Sequence, residues 1–237
     1  MASDILSSII QAITLIITLD PEVMQITLLS LRVSLIAVIL SSLIGIPTGI
    51  YLGLLRFRGK TFLLTFINTA MAFPPVVMGL FIFILFSEYG PFGQVGILLT
   101  DTVLILVQFL LALPIIIGLS ASTMANVDSK LVETATTLGA NQKQRFILLI
   151  RESRIELFAA AIAAFGAAIS EIGAVQIVGG NIRFKTRTLT TAIGREISAG
   201  RWEFALALGF ILLLAAFLVN VFLTYLQHSK RIFWRSD

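Results

Sequence analysis

Cysteine is absent from this chain, histidine occurs once (His228), and only 13% of its 237 residues are charged. The first absence excludes a disulfide frame, a thiolate metal site and a cysteine nucleophile. The second excludes a histidine cluster for metal, and we expect no metal site. The third excludes an ordinary soluble domain, in which about a quarter of residues carry charge. Catalytic patterns are missing too: there is no His-Glu-x-x-His and no Gly-x-Ser-x-Gly. RGKT at 58–61 resembles the end of a phosphate loop, but that motif needs glycine five positions before Gly59, and Leu54 stands there. With no nucleophile, base or metal cluster, no catalytic residue is assigned and the chain is not expected to be an enzyme. If it pumps, the energy comes from a partner or from ion coupling.

What the chain has instead is apolar surface. Hydrophobic residues make up 57% of it, and the mean hydropathy is +0.99. That exceeds what one core of this size needs, so the solvent is a lipid bilayer. Nothing in the pattern points to nucleic acid, although the formal net charge is +4. Five segments match the roughly 20 residues that a spanning helix takes. They lie at about 33–55, 61–86, 102–121, 155–178 and 203–226. Backbone groups in lipid must bond internally, so the fold class is an all-α integral membrane protein, one domain over 1–237. Pro47, Pro74, Pro75 and Pro114 fall inside the first three segments. Prolines there predict kinks, either for packing or to line a path.

The first residues differ. Over 4–19, Ser7, Gln11, Thr14 and Thr18 recur at helical spacing among Ile, Leu and Ala. About 15 helical residues reach only ~22 Å, which is too short to span. The spacing predicts an amphipathic helix lying in the interface. No basic residue precedes the apolar run, which argues against a signal peptide. Arg32 falls near the outer end of the first span, where its head can snorkel to water.

Loop charge orients the helices. Three basic residues lie in 56–60, five in 122–154 and three in the tail after 226, all on one side. The opposite side has none in 87–101 and five in 179–202: Arg183, Lys185, Arg187, Arg195 and Arg201. Eleven against five puts the C-terminus in the cytoplasm and the N-terminus outside. The basic outer loop either attracts an anion or an acidic surface, or is simply solvated.

Between the third and fourth spans stands LVETATTLGANQKQRFILLI, 131–150. Its alternation predicts a cytoplasmic helix over about 128–145, started by Asp128 or Ser129. Ala135 and Gly139, four apart, are expected to make a flat face that admits another protein closely; the alternative is an ordinary connecting helix. ETATTLG at 133–139 resembles the E-A-A-x-x-x-G motif of the permease subunits of ABC importers. The match is Glu133, Ala135 and Gly139, followed by Ala140, with Thr134 in place of the first Ala. The chain departs from the family where I-x-L-P usually follows: it reads LLIRES at 148–153, and no proline occurs after Pro114. Three spans before the motif and two after resemble the compact five-span core of type I importers. This resemblance implies that the 128–145 helix docks on an ATPase subunit, with Glu133, Ala135, Gly139 and Ala140 as the docking residues. It further implies two copies of this chain, an ATPase pair that binds ATP and Mg, and an extracytoplasmic binding protein. No cofactor is expected in this chain itself.

SEIGAVQIVGGNIRFKTRTLTTAI, 170–193, resembles the permeases of tungstate importers, relatives of those for molybdate and sulfate. Glu171, Gly173, Gly179, Gly180, Asn181, Thr186, Arg187, Thr190 and Thr191 carry the match. An oxyanion wants N–H, hydroxyl and guanidinium donors, and these residue types supply them. The resemblance implies that Glu171, Gly179, Gly180, Asn181, Arg187, Thr190 and Thr191 line the substrate path or shape an outer gate. Glu171, in the outer half of the fourth span, is expected either to pair with Arg187 as a gate latch or to be a hydrogen-bonded structural residue. The function so implied is ATP-driven import of an oxyanion, tungstate first. Import of molybdate or sulfate is the alternative within the family; a secondary transporter or channel needing no ATPase is the alternative outside it.

Overall fold

A computed structural model describes the backbone of residues 2–55 and 57–233. Side chains are described for 6–55, 57–128 and 130–225. Arg56 and the basic tail Lys230, Arg231 and Arg235, which the charge count used, lie outside the described side chains. The described residues form eleven α-helices and a short 3-10 turn. They are α1 (Ala2–Ile17), α2 (Pro21–Leu54), α3 (Lys60–Met71), α4 (Pro75–Phe86), α5 (Asp101–Ala125) and α6 (Ser129–Thr137). After these come α7 (Gln142–Glu152), α8 (Arg154–Ile169), α9 (Gly173–Gly179), α10 (Leu189–Ser198) and α11 (Trp202–Phe233).

Three helices are long and apolar enough to cross a bilayer alone: α2, α5 and α11. The other two spans are bent pairs, α3 with α4 at 92° and α8 with α9 at 59°. So 61–86 and 155–178 are not continuous helices. The first breaks at Ala72–Pro74, because neither Pro74 nor Pro75 has an N–H to return to the α3 carbonyls, and Pro also drives its predecessor out of the helical region. The second break has no proline. There the Glu171 carboxylate accepts the N–H of Ala174 at 2.9 Å and starts a new helix, α9. The restarted helix is held against α4. A Cβ on Gly79 would lie 2.6 Å from the Cα of Ala174, and one on Gly173 would lie 2.5 Å from Cγ2 of Val76.

The centre of the fold is α2 against α5. Ser41, Gly45, Gly49 and Gly53 recur every fourth residue of α2 and are all buried. A Cβ at Gly49 would fall 2.5 Å from Cβ of Ser120 and 2.7 Å from the carbonyl oxygen of Ile117. This seam of small residues lets the two backbones approach as membrane helices do when lipid offers no hydrophobic drive. Ser41 Oγ donates across it to the carbonyl of Phe109 at 3.0 Å. The two helices run parallel, so Gly53 meets Met124 at one end while Arg32 pairs with Asp101 towards the other. Around this pair, Val33, Ile82, Leu104, Val107 and Val175 form one apolar cluster joining α2, α4, α5 and α9. Val38, Ile116, Ala164 and Ala168 join α8 to the same pair. Val23, Ile26, Leu189 and Leu208 tie the start of α2 to α10 and α11.

Helix α1 buries Ala12 and packs Leu15 on that last cluster. Leu6, Ile10, Ile13 and Ile17 form an outward apolar stripe. Thr14 and Thr18 donate to the carbonyls of Ile10 and Thr14 at 2.9 and 2.8 Å, so their hydroxyls are satisfied without water. Outside the bundle the surface remains apolar: Leu43, Phe62, Phe66, Leu213 and Phe217 are all more than half exposed. Such a surface suits lipid and not water.

Candidate functional site

Two polar assemblies mark opposite ends of α2. At the Leu54 end, the expected helix over 128–145 is two helices, α6 and α7, joined by a turn. Asp128 caps α6 by accepting the N–H of Lys130 at 2.9 Å. The helix ends at Gly139, whose φ is +82°. The N–H of Ala140 then closes back on the carbonyl of Ala135 at 2.9 Å, the bond that ends a helix in a left-handed residue. Asn141 begins α7 with a reciprocal cap: its side chain accepts the N–H of Gln144 while Gln144 Oε1 accepts the N–H of Asn141. Arg145 Nη1 donates to Thr136 Oγ1 at 3.0 Å and staples the two helices.

This geometry corrects the flat face. Ala135 is buried at 8% exposure, and Gly139 is in the turn rather than on the same helical face. Glu133 and Gly139 are exposed and Ala140 is half-buried. The most exposed large apolar residue of the hairpin is Leu138, at 82%, which sequence reasoning passed over. An apolar residue just before a helix-ending glycine was the available signal.

At the other end, residues 179–201 fold over the start of α2. Gly180 and Asn181 both have positive φ, which turns the chain out of α9. Thr186 Oγ1 donates to the carbonyl of Gly179 at 2.5 Å and accepts the N–H of Ile182 at 3.0 Å. Thr188 and Thr191 cap α10 mutually. Thr190 Oγ1 donates to the carbonyl of Glu171 at 2.7 Å, joining α10 to the break in the fourth span. Asn181 Nδ2 donates to the carbonyl of Thr191 at 3.1 Å. The structure therefore brings Glu171, Gly179, Asn181, Thr190 and Thr191 together. Their hydroxyls and amides hold the loop's own backbone, however, and Thr186, Thr190 and Thr191 are buried.

Glu171 and Arg187 do not pair. The carboxylate of Glu171 caps α9, and no salt bridge reaches it among the described residues. Arg187, 4% exposed, turns instead to Glu22 and Glu196. Its Nη1 lies 3.3 Å from Glu22 Oε1 and 3.9 Å from Glu196 Oε1. Glu22 also accepts both Nε and Nη2 of Arg183, at 2.8 and 2.6 Å. Glu196 is fully buried and is held by Arg195 at 3.2 Å and Arg201 at 2.5 Å. Four of the five basic residues of this loop are thus locked into one ion cluster around two carboxylates. Burial lowers the pKa of Arg187, though a guanidinium stays charged at any pH a protein meets. The hydrogen bond to Glu22 raises that of Arg183. Glu22, Arg183 and Glu196 were missed as site residues. Glu22 lies 161 residues from Arg183, and no local pattern links them.

A span order of this kind, with a capped hairpin at one end and a basic loop folded over the other, can couple a partner on one face of the membrane to one on the opposite face. Residues 45–232 match the family described as binding-protein-dependent transport system inner membrane component. The tungstate uptake system permease protein TupB of Peptoclostridium acidaminophilum is 40% identical over 218 residues, 92% of this chain and 96% of the relative. A probable anion ABC transporter permease protein of Haloferax volcanii is 42% identical over 201 residues, 83% of this chain and 87% of the relative. TupB of Campylobacter jejuni is 36% identical over 215 residues, 91% of this chain and 90% of the relative. With its family match over most of the chain and near full-length relatives, this multi-pass protein belongs to the binding-protein-dependent transport system inner membrane components, the permease subunits of ABC importers.

Proposed function

We propose that the chain is the permease of a tungstate importer. The observation that carries this reading is the similarity, over nine-tenths of the chain, to two permeases named for tungstate uptake. A family member of this kind works with an ATPase and a binding protein. The finer arrangement is part of the proposal. Two copies of the chain face each other, and each offers its α6–α7 hairpin to one subunit of an ATPase pair that binds ATP and Mg. Glu133, Leu138 and Gly139 present the exposed side of that hairpin, and Ala135 and Ala140 hold it in shape. The excess of basic residues on the hairpin side supports a cytoplasmic hairpin and C-terminus, with the N-terminus and the 179–201 loop outside.

In this arrangement ATP binding draws the ATPase subunits together and carries the two hairpins with them. Helix α5 leads directly into α6, and α7 into α8, so movement of the hairpin is passed to the α2–α5 pair and to the broken fourth span. Rigid helices rocking about a packed interface are an established mode of switching. Gly179, Gly180, Asn181, Arg187, Thr190 and Thr191 then shape the outer gate, and Glu171 sets the start of α9 beside it. The test is uptake of labelled tungstate by cells with and without this chain at nanomolar anion, with molybdate and sulfate as competitors. Loss of uptake that only tungstate competes is the expected result. Unchanged tungstate uptake refutes the substrate, and competition by sulfate or molybdate reassigns it.

A further inference from the structure

One carboxylate in the outer cluster stands where an anion would. Glu22 is gripped by Arg183 through two parallel N–H···O bonds, at 2.8 and 2.6 Å. A guanidinium offers the same fork to any oxyanion. Arg187 approaches the same carboxylate at 3.3 Å, and Lys185 lines the same recess. Two guanidiniums thus hold one carboxylate, and a lysine lines the recess beside it. Lys185 makes no ion pair among the described residues, and the Nε of Arg187 is buried with no hydrogen-bond partner. Glu196 does not complete the balance, because Arg195 and Arg201 lie closer to it than Arg187 does. With Glu22 displaced, Arg183, Lys185 and Arg187 leave three positive charges for the two negative charges of a tetrahedral dianion.

The recess is shut in this structure. Free space between Glu22, Gln25, Phe184, Lys185 and Arg187 amounts to about 10 Å³, room for one water at most. An oxyanion enters only if Glu22 leaves. Arg183 is half-exposed, so the fork is reachable from outside. The loop that carries it is held in one shape: Phe184 has φ +64°, Gln25 Nε2 donates to its carbonyl at 3.2 Å, and the Arg183 guanidinium stacks 4.6 Å over its ring. Glu22, by contrast, sits in the first turn of α2, with its own N–H capped by Asp20 at 3.0 Å. Its side chain can swing away without unwinding the helix.

We propose that Arg183, Lys185 and Arg187 form an oxyanion site at the mouth of the permease, kept closed by Glu22 acting as an internal anion. The site rests on the reading of the chain as an oxyanion permease. A delivered dianion displaces the Glu22 carboxylate, takes its place on the two guanidiniums and breaks the two ion pairs that join α2 to the loop. Arrival of substrate is thereby coupled to release of the outer gate. The depth of Arg187 favours a small free anion over a carboxylate carried on the surface of the binding protein.

The test uses the permease–ATPase complex in lipid nanodiscs, without binding protein or nucleotide. Equilibrium binding of tungstate is measured in parallel with molybdate, sulfate and inorganic phosphate. Glu22→Gln is expected to bind an oxyanion at least tenfold more tightly than wild type, and adding Arg187→Gln should erase the gain. Equal affinity of Glu22→Gln and wild type, or a gain that survives Arg187→Gln, overturns the site. A gain for sulfate or phosphate but none for tungstate keeps the site and removes the tungstate reading. Tighter capture of the binding protein with no gain for any anion assigns the fork to a protein carboxylate and overturns the proposal. Should Glu22→Gln fail to assemble, hydrogen exchange on the wild-type complex decides. Saturating tungstate is expected to speed exchange of amides 22–26 at least severalfold, and unchanged exchange overturns the proposal.

Discussion

Replacing Gly139 separates two explanations of why glycine stands there. If a flat surface is required, any side chain should impair docking in proportion to its size. The structure gives a different reason. Gly139 has φ +82°, and a Cβ built on it would meet nothing within 4 Å. The demand is therefore on the backbone and not on space. An ordinary L-residue in the left-handed region costs about 1–2 kcal/mol, β-branched residues are the worst, and Asn is tolerated. Gly139→Asn should leave the α6–α7 hairpin nearly unchanged. Gly139→Ala should weaken it by about 1 kcal/mol, and Gly139→Val by about 2 kcal/mol. Through the exponential relation of free energy to population, these figures raise local opening roughly 5-fold and 30-fold. Amide hydrogen exchange of residues 131–138 in nanodiscs reads that opening directly. Retention of the ATPase through purification should follow the same order: Gly, Asn, Ala, Val. If Asn proves as damaging as Val in both assays, or if Ala is harmless, the conformational reasoning is wrong and contact at Gly139 itself decides.

Gly49→Val would place its Cβ 2.5 Å from Cβ of Ser120 and force α2 from α5; overpacking of this kind costs about 1–3 kcal/mol or more and should lower the melting temperature in detergent. Gly166→Ala, where a Cβ meets nothing within 4 Å, is the internal control and should be neutral or stabilising; equal melting of the two variants would contradict the seam. Glu171→Ala removes the carboxylate that caps α9 and should cost about 1 kcal/mol. Because Glu171 does not pair with Arg187, exchanging the two charges should give no rescue, and a rescued double variant would restore the latch.

The hairpin and the cluster show how unevenly function was written along the chain. Gly139 and Ala140 were singled out through the resemblance of ETATTLG to a family motif, while the helix stop they form, a left-handed φ at Gly139 and a backbone bond across five residues, went unread. Ala135 was misplaced because a continuous 3.6-residue period was extended through that stop. The break at Pro74 and Pro75 had a local cause and was visible as a kink. The break at Glu171 was not foreseen: no proline marks it, and it arises from a carboxylate that caps the next helix three residues on together with α4 packing against the restart. The basic loop was visible as a charge excess, but its partners were not. One of them, Glu22, lies at the far start of the chain.

By itself the sequence determined that this protein lives in lipid, that helices cross it, that a polar helical segment interrupts the spans, and that the 179–202 loop is basic. Each of these follows from composition or from residues within a few positions of one another. Only the tertiary structure decided which small residues form the α2–α5 seam, which way Ala135 faces, and that Arg183 and Arg187 close on Glu22 and Glu196. Ion pairs and close helix contacts depend on distance in space, and the distances that matter here join residues as many as 165 positions apart.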